Sequence, residues 1–238
     1  MVGEPRVHHR LTDSTNERAR ALALAGAPHG TVVTAAEQTA GRGRQGRVWS
    51  APPGKALLLS VLLRGLDERA ALLPLTAAVA VCEACEALAP VQCRIKLPND
   101  VWIKRRKLAG ILVEGRPQTG WTVLGIGLNV STAADEFPDE LREQATSLAL
   151  AARRSKDAAA LTPERVLDAV LAALERLLAA TDAEVIAAWR ERDALFGRSV
   201  RWAEGEGKAR GITRSGALVV ATGDGLVELD AGEVHLLG

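Results

Sequence analysis

Three arginines alternate with three glycines in one stretch of the chain, and this composition suits a loop that lies against an anionic ligand. The stretch runs from Gln38 to Trp49 and reads QTAGRGRQGRVW. Each glycine in a helix or strand interior costs about 0.5–1 kcal/mol relative to alanine, so no regular element favours it. Glycines admit close backbone approach, and arginine forks donate to carboxylate or phosphate. A solvated basic turn is the alternative, but it would not need Gln38 and Trp49 at its two ends, directly before an apolar strand at 56–63.

Small polar side chains gather before the first predicted helix. Ser14, Thr15 and Asn16 stand where a helical run to about Ala25 begins. Ser14 and Glu17 fit a capping box, which predicts a helix start without any function. Polar side chains at a helix N-terminus are also suited to contact a compact polar ligand, so both interpretations stay open.

A basic turn predicts a hairpin between strands at 101–103 and 108–114. The basic residues at 104–106 are of the kind that keeps a hairpin tip soluble. Lys107 differs from them because it starts the second strand, so its side chain has a fixed direction relative to the sheet.

Two further stretches place polar groups beside predicted strands. Residues 96–100 (KLPND) form a turn in which proline restricts the chain. In the strand at 121–130, Gly125 and Gly127 leave one face bare, which lets another backbone or a ligand lie close. Asn129 follows them near the end of that strand.

The remaining pattern predicts a sheet packed against helices. A nearly all-apolar helix begins at about Leu72 or Leu73, with Pro74 in its first turn, and we expect it to be buried. Thr162 and Pro163 predict the start of a later helix. The predicted strands outside the hairpin lie at 6–11, 31–37, 56–63, 92–96 and 121–130.

From Phe196 onward the sequence changes to short β-prone runs separated by glycine-rich turns. This change predicts two domains, at 1–195 and 196–238. A unit of about 40 residues has little core of its own, so we expect it to dock on the larger domain. Its predicted strands lie at 199–204, 208–214, 217–222, 226–230 and 234–237.

Composition excludes some classes of protein. Among 238 residues, 30 basic and 29 acidic side chains give a net charge of +1, which argues against a surface built to hold nucleic acid. Aromatic residues are only 3% and tyrosine is absent, which argues against a base-stacking platform. The basic stretches at 42–47 and 104–107 keep a nucleic-acid-binding module as a rival, whose mark would be steeply salt-dependent affinity.

The compartment expected from the sequence is the cytoplasm. The N-terminus lacks the apolar region of a signal peptide, and no run of about 18 apolar residues is evident to span a membrane. Three cysteines do not suggest a disulfide framework. Cys82 and Cys85 are interpreted as buried small hydrophobes rather than zinc ligands, since further ligands are not placed beside them.

Taken together and in order, the unusual strings resemble the biotin protein ligases. The family strings are STN, QxAGRGRxGRxW, KWPND, KLAGILVE and GxGxN, and the resemblance runs from about residue 8 to the end. It implies an α+β fold, with a mixed sheet packed against helices as in class II synthetase-like catalytic domains. It also implies a small C-terminal SH3-like β-barrel.

The resemblance implies a two-step reaction. Biotin carboxylate attacks the α-phosphate of MgATP to give biotinyl-5′-adenylate and pyrophosphate. A lysine on a biotin carrier domain, such as that of acetyl-CoA carboxylase, then takes the biotinyl group. The first step needs cations to offset charge repulsion, and the second needs a loop that keeps water from the mixed anhydride.

The resemblance also implies roles for individual residues. Lys107 would be catalytic and bridge the biotin carboxylate and the α-phosphate, and Arg44 would guard the adenylate. Asp100 would be a Mg²⁺ ligand. The implied biotin contacts are Ser14, Thr15, Asn16, Gln38, Gly41, Arg42, Gly43, Arg44 and Lys107. The implied ATP contacts are Arg42, Trp49, Asn99, Lys107 and Asn129, with the tryptophan face suited to stack on adenine.

Two departures from the family pattern stand out. Leu97 occupies the place of a tryptophan, where it would keep an apolar wall of smaller area. The tail at 231–236 resembles the family ending but lacks the following arginine, so a C-terminal contact to ATP is not carried over. Some family members carry an N-terminal winged helix and repress transcription. Only thirteen residues precede Ser14, too few for a DNA-binding fold, so we expect a ligase that is not a repressor and binds no DNA. Since no apolar run long enough to span a membrane is evident, we expect no membrane partner either.

The sequence leaves an alternative substrate and the oligomeric state undecided. A lipoate or octanoyl ligase on a related fold is the nearest alternative, although the glycine–arginine loop and the KLAGI string favour biotin. Edge strands next to the basic hairpin would be free to pair two copies as a homodimer or to dock the carrier.

Overall fold

A seven-stranded mixed sheet forms the larger part of the protein. The computed structural model describes residues 1–116, 120–153, 160–230 and 234–237. The strands are β1 (Arg6–His9), β2 (Val32–Ala35), β3 (Ala56–Arg64), β4 (Arg94–Lys96), β5 (Asp100–Ile103), β6 (Arg106–Arg116) and β7 (Trp121–Asn129). Their order is β1-β2-β3-β7-β6-β5-β4. The pair β1–β2 is parallel and the other neighbours are antiparallel, which confirms the predicted mixed sheet and hairpin.

Helices cover both faces of this sheet. They are α1 (Thr15–Leu24), α2 (Leu73–Leu88), α3 (Leu148–Ala151), α4 (Pro163–Ala179) and α5 (Asp182–Arg190). The predicted start of α2 beside Pro74 is confirmed. The Thr162 side chain accepts a hydrogen bond from the Arg165 N–H at 3.3 Å, which confirms the predicted N-cap of α4.

Strand β3 shows how the two faces differ. Leu57, Leu59 and Leu63 belong to the main core that includes α2, whereas Leu62 packs with Ala19 on α1. Alternate side chains of a strand point to opposite faces, so α2 and α1 lie on opposite sides of the sheet. Helix α1 is short and covers only part of its side of the sheet. The uncovered part of that sheet face borders a cavity.

Two sequence-based expectations need correction in the helices. Residues Arg69–Leu88 are long and apolar enough to span a membrane by composition, but 67% of the apolar 18-residue window within them is buried inside the protein, as in a core helix. Ser14 stands at the N-cap of α1, yet its side chain makes no capping hydrogen bond, and Glu17 pairs with Arg42 instead. The capping-box prediction was therefore wrong.

The three cysteines serve packing. Cys82, Cys85 and Cys93 are all free and fully buried, as expected for the first two. Burial raises the pKa of the Cys82 thiol. Among the described residues, no cluster of three or more His, Cys, Asp or Glu side chains is placed to hold a metal ion.

A second, five-stranded antiparallel sheet follows a linker at residues 191–198. Its strands are β8 (Ser199–Trp202), β9 (Gly205–Ile212), β10 (Leu218–Thr222), β11 (Gly225–Leu229) and β12 (His235–Leu236). The order is β11-β10-β9-β8-β12, and in the described part of the chain no pairing joins β11 to β12. Val200 and Val220 share one core with α2, so the module docks as predicted. The tail residues 231–233 lie outside the described residues.

The linker also closes one edge of the large sheet. The Ile95 N–H donates to the Arg192 carbonyl at 2.7 Å, and the Ala194 N–H donates to the Ile95 carbonyl at 3.0 Å. Glu86 on α2 supports this joint, because its carboxylate accepts from the Cys93 N–H at 3.0 Å and from the Arg192 guanidinium at 2.8 Å. The edge at Ile95 is therefore occupied and is not open to a second chain there.

Glu86→Ala is expected to destabilise the protein by about 2–3 kcal/mol, because it leaves a guanidinium and an N–H without their acceptor. Glu83→Ala on the same helix is the matched control. Glu83 is similarly exposed, at 27% against 26%, but its partner Arg176 lies largely in solvent, so we expect about 0–1 kcal/mol. Urea denaturation measures the free energy of unfolding of both variants. Equal losses would show that Glu86 does not support this joint.

Candidate active site

A cavity of about 640 Å³ opens on the face of the sheet that α1 leaves uncovered. The start of α1, the glycine–arginine loop, the 96–100 turn and the strands β6 and β7 contribute to its walls. All the predicted site residues line it except Gly41, namely Ser14, Thr15, Asn16, Gln38, Arg42, Gly43, Arg44, Trp49, Asn99, Asp100, Lys107 and Asn129. Gly41 lines a second cavity of about 410 Å³ beneath the loop.

Glycines form the floor of the main cavity. A Cβ at Gly127 would lie 2.4 Å from the Trp49 ring, and one at Gly125 would lie 2.3 Å from Asn16 Oδ1. A Cβ at Gly110 would lie 3.1 Å from the same indole. The bare face predicted from the sequence therefore exists, but two side chains fill it rather than another backbone. The Trp49 Nε1–H is buried and meets no acceptor among the described residues.

A buried polar corner lies at one end of the cavity. Gln38 Oε1 accepts from the Thr15 N–H at 2.7 Å and from its hydroxyl at 3.0 Å. The Ser60 hydroxyl lies 2.6 Å from Asn16 Oδ1 and 2.8 Å from Thr15 Oγ1. Ser60 has one proton, so it donates to one of these two oxygens at a time. Ser14, Thr15 and Asn16 are each at most 5% exposed, so the corner is preformed.

The turn before α1 is held by a charged pair. Asp13 accepts from the Ser14 N–H at 2.6 Å and pairs with Arg18. The Arg18 guanidinium and this backbone donor hold the pKa of the Asp13 carboxyl well below its usual range. The carboxylate therefore stays charged at neutral pH and fixes the direction in which α1 enters the cavity wall.

Lys107 lies between the turn at 96–100 and the indole. Its ammonium is 2.7 Å from Asp100 Oδ1, in an ion pair rather than an aligned hydrogen bond. It is also 5.7 Å from the centroid of the Trp49 ring. Strand β6 begins at Arg106, so Lys107 is its second residue rather than its first, and the Lys107 N–H donates to the Gln144 carbonyl at 2.7 Å. The fixed direction expected for this side chain is therefore present.

Two asparagines brace the walls. Asn99 Nδ2 donates to the Ile111 carbonyl at 3.0 Å, and Asn129 Nδ2 donates to the Thr146 carbonyl at 3.1 Å. Leu97 is buried in the main core and does not line the cavity, so the prediction that it forms an apolar wall was wrong.

The glycine–arginine loop is folded back on itself. The Gly43 N–H donates to the Arg47 carbonyl at 2.7 Å, and the Trp49 N–H donates to the Gly41 carbonyl at 3.0 Å. Arg42 pairs with Glu17 and lies 3.5 Å from Glu114. The loop thus brings arginines to the rim of the cavity while its closing residue, Trp49, is anchored on the sheet.

Sequence reasoning missed two residues of the site. Ser60 interrupts the otherwise apolar string LLLSVLL, and Glu114 ends the apolar run ILV. A polar residue at a buried strand position needs a hydrogen-bond partner. The interruption of an apolar strand by a polar residue is therefore the sequence signal that could have pointed to these residues. Neither partner follows from the sequence, because both bonds join positions far apart in the chain.

The fold and the cavity define a class of protein. It is an α+β enzyme domain that offers a preformed polar corner, a lysine and an arginine-bearing loop to an anionic ligand. The Biotin/lipoate A/B protein ligase family matches residues 8–131, and the Biotin protein ligase C terminal domain matches residues 196–237.

The chain is also similar to individual proteins of this family. The chain is 33% identical to the bifunctional ligase/repressor BirA of Bacillus subtilis over 99% of its own length and 75% of that protein. It is 36% identical to the biotin–[acetyl-CoA-carboxylase] ligase of Mycobacterium tuberculosis, over 94% of its length and 86% of that protein. The structure of biotin protein ligase from Aquifex aeolicus in complex with biotin and ATP aligns with a TM-score of 0.83 and 29% identity, covering 99% of each chain. The chain belongs to the biotin/lipoate A/B protein ligase family.

Gly127→Ala tests the glycine floor. The added methyl group overlaps the indole, so we expect a loss of about 1–3 kcal/mol in unfolding free energy. In a Trp49→Ala background the same change should cost much less, because the two groups no longer collide. Gly223→Ala is the control, since a Cβ there meets nothing within 4 Å. Equal costs of Gly127→Ala in both backgrounds would show that the indole does not rest on this glycine.

Proposed function

We propose that this chain is a biotin protein ligase, which activates biotin with ATP and transfers the biotinyl group to a lysine of a carrier domain. The observation that carries the proposal is the position of Lys107. Its ammonium lies 2.7 Å from Asp100 Oδ1 and 5.7 Å from the centroid of the Trp49 ring, in the same cavity as the polar corner, which suits a group that bridges a carboxylate and a phosphate. Its neighbours support the same placement, since the implied biotin and ATP contacts other than Gly41 line one cavity.

Biotin is favoured over lipoate as the substrate. The curated relatives described above and the aligned structure are named as biotin ligases, and the matching C-terminal domain carries the same name. The polar corner suits a compact head group with both donors and acceptors, because Thr15 and Gln38 are held rigidly against each other. Lipoate's dithiolane ring carries no N–H or O–H donor, so it would gain little hydrogen bonding from this corner.

In the first half-reaction, the biotin carboxylate oxygen forms a bond to the α-phosphorus and the bond to the pyrophosphate oxygen breaks. Both reactants are anions, so preorganised cations lower the barrier. Lys107 supplies one positive charge at the meeting point, and Arg42 and Arg44 line the same cavity. The Trp49 face, held on Gly127, is placed to receive the adenine ring.

Magnesium is part of the proposal. Mg²⁺ is usually held by one or two carboxylates together with phosphate oxygens and water. Asp100 is a carboxylate on the cavity wall and fits that role, with ATP completing the coordination, and the ion would neutralise phosphate charge. Its Oδ1 already lies 2.7 Å from the Lys107 ammonium, so the carboxylate faces a cation in this cavity.

In the second half-reaction, the ε-amine of the carrier lysine attacks the acyl carbon of biotinyl-5′-adenylate, and AMP leaves. The mixed anhydride must be protected from water until then. Arg44 and its neighbouring glycines line the cavity from the loop side, so the loop is the part suited to cover the adenylate. The partner is a biotin carrier domain of a biotin-dependent carboxylase such as acetyl-CoA carboxylase.

Further parts of the proposal concern the setting of the enzyme. We assign residues 1–195 to the catalytic domain and 196–238 to the C-terminal domain, whose family match begins at residue 196. The free cysteines suit the cytoplasm. A homodimer and the absence of DNA binding remain predictions.

The test is the intact mass of a biotin carrier domain after incubation with the protein, biotin and MgATP. We expect one biotinyl adduct with the wild-type protein and a rate at least about 100-fold lower with Lys107→Ala, since a preorganised cation is lost. Lys104→Ala, at the exposed tip of the same hairpin, is the matched control and should keep full activity.

Parallel tubes separate the alternatives. A lipoyl adduct in a tube that contains lipoate instead of biotin would transfer the proposal to a lipoate ligase. If the biotin tube yields no adduct and no pyrophosphate, the ligase function is refuted altogether. Pyrophosphate without an adduct would confirm the first half-reaction and refute the choice of carrier.

A further inference from the structure

One carboxylate touches both the polar corner and the glycine–arginine loop. Glu114 lies on β6 on the same face as Gly110 and Leu112, since alternate residues of a strand share a face. Its Oε2 accepts from Asn16 Nδ2 at 2.7 Å. Its Oε1 lies 3.5 Å from an Arg42 guanidinium nitrogen. A single side chain therefore spans the two parts of the site.

The contact to Asn16 fixes how that amide is turned. Asn16 Oδ1 faces the Ser60 hydroxyl at 2.6 Å, and its Nδ2 faces Glu114. A carboxylate accepts only, so it selects the nitrogen end of the amide. The whole group rests on Gly125, where a Cβ would lie 2.3 Å from Oδ1. Glu114 thereby completes the polar corner.

The contact to Arg42 ties the loop to the body of the domain. Arg42 also pairs with Glu17 on α1, so two carboxylates hold one guanidinium. Beneath the loop lies the second cavity of about 410 Å³, which Leu112 and Glu114 line from the sheet side. The two ion pairs therefore attach the loop where a cavity, rather than packed side chains, separates it from the sheet.

We propose that Glu114 is a positioning residue that couples the loop to the polar corner. By holding Asn16 and Arg42 at once, it sets the orientation of the corner and ties the loop to it. This role rests on the proposed function, since the corner is the expected site of the biotin head group.

The test combines limited trypsin digestion with calorimetric titration of biotin. Trypsin cleaves after arginine, so cutting at Arg42, Arg44 and Arg47 reports opening of the loop. Glu114→Gln keeps an acceptor for Asn16 but removes the charge facing Arg42. Without ligand, we expect its loop to be cleaved about two to five times faster than that of the wild type, because the lost ion pair is partly exposed and therefore weak. We expect its biotin dissociation constant to rise about fivefold at most.

Glu114→Ala removes both contacts. Its loop cleavage should rise as much as in Glu114→Gln, and its biotin dissociation constant should rise about tenfold, because the Asn16 amide loses its buried acceptor. Asp168→Asn is the control. It removes an exposed ion pair to Arg6, and neither residue lines the two cavities, so both readouts should stay unchanged.

Each outcome decides something. Wild-type cleavage rates in Glu114→Gln would overturn the attachment of the loop. Weaker biotin binding in Glu114→Ala without faster loop cleavage would overturn the coupling and leave a role in the corner alone. If the wild-type protein binds no biotin, the proposed function fails, whereas the ligand-free cleavage comparison still tests the attachment.

Discussion

The absence of side chains at three positions of the sheet is the constraint on which the site depends. Gly125 and Gly127 on β7 and Gly110 on β6 let Asn16 and Trp49 lie directly on the backbone. Without that floor, neither the first turn of α1 nor the closing residue of the loop would reach the sheet. The cavity is the space left between these two side chains and the helix that covers only part of the same face.

Two kinds of interaction then give the cavity its chemistry. The polar corner around Thr15, Gln38 and Ser60 is rigid, because each buried donor or acceptor is tied to another. The cationic part is looser, since Lys107 and Arg42 are held by partly exposed carboxylates. Rigid recognition of a head group and adjustable neutralisation of charge are what a reaction between a carboxylate and a polyphosphate requires.

Much of this was predictable from the sequence, for physical reasons that differ from element to element. The start of α2 followed from Pro74, and the cap of α4 from Thr162, because both are local rules. The paired glycines of β7 predicted a close approach, but not that Trp49 would make it. The capping box at Ser14 failed because Glu17 has a stronger partner in Arg42, which is distant in sequence. Ser60 and Glu114 were missed for the same reason, since their bonds depend on the register of strands that sequence patterns leave undetermined.

The proposed reaction depends on Lys107 lying where the carboxylate of biotin meets the α-phosphate. The most direct test is a crystal structure of the protein with a non-hydrolysable analogue of biotinyl-5′-adenylate. We predict that the acyl-phosphate linkage lies within hydrogen-bonding distance of Lys107 Nζ, with the adenine on the Trp49 face and the biotin head group against Thr15 and Gln38. An analogue that binds in the cavity with its linkage out of reach of Lys107 would contradict the claim.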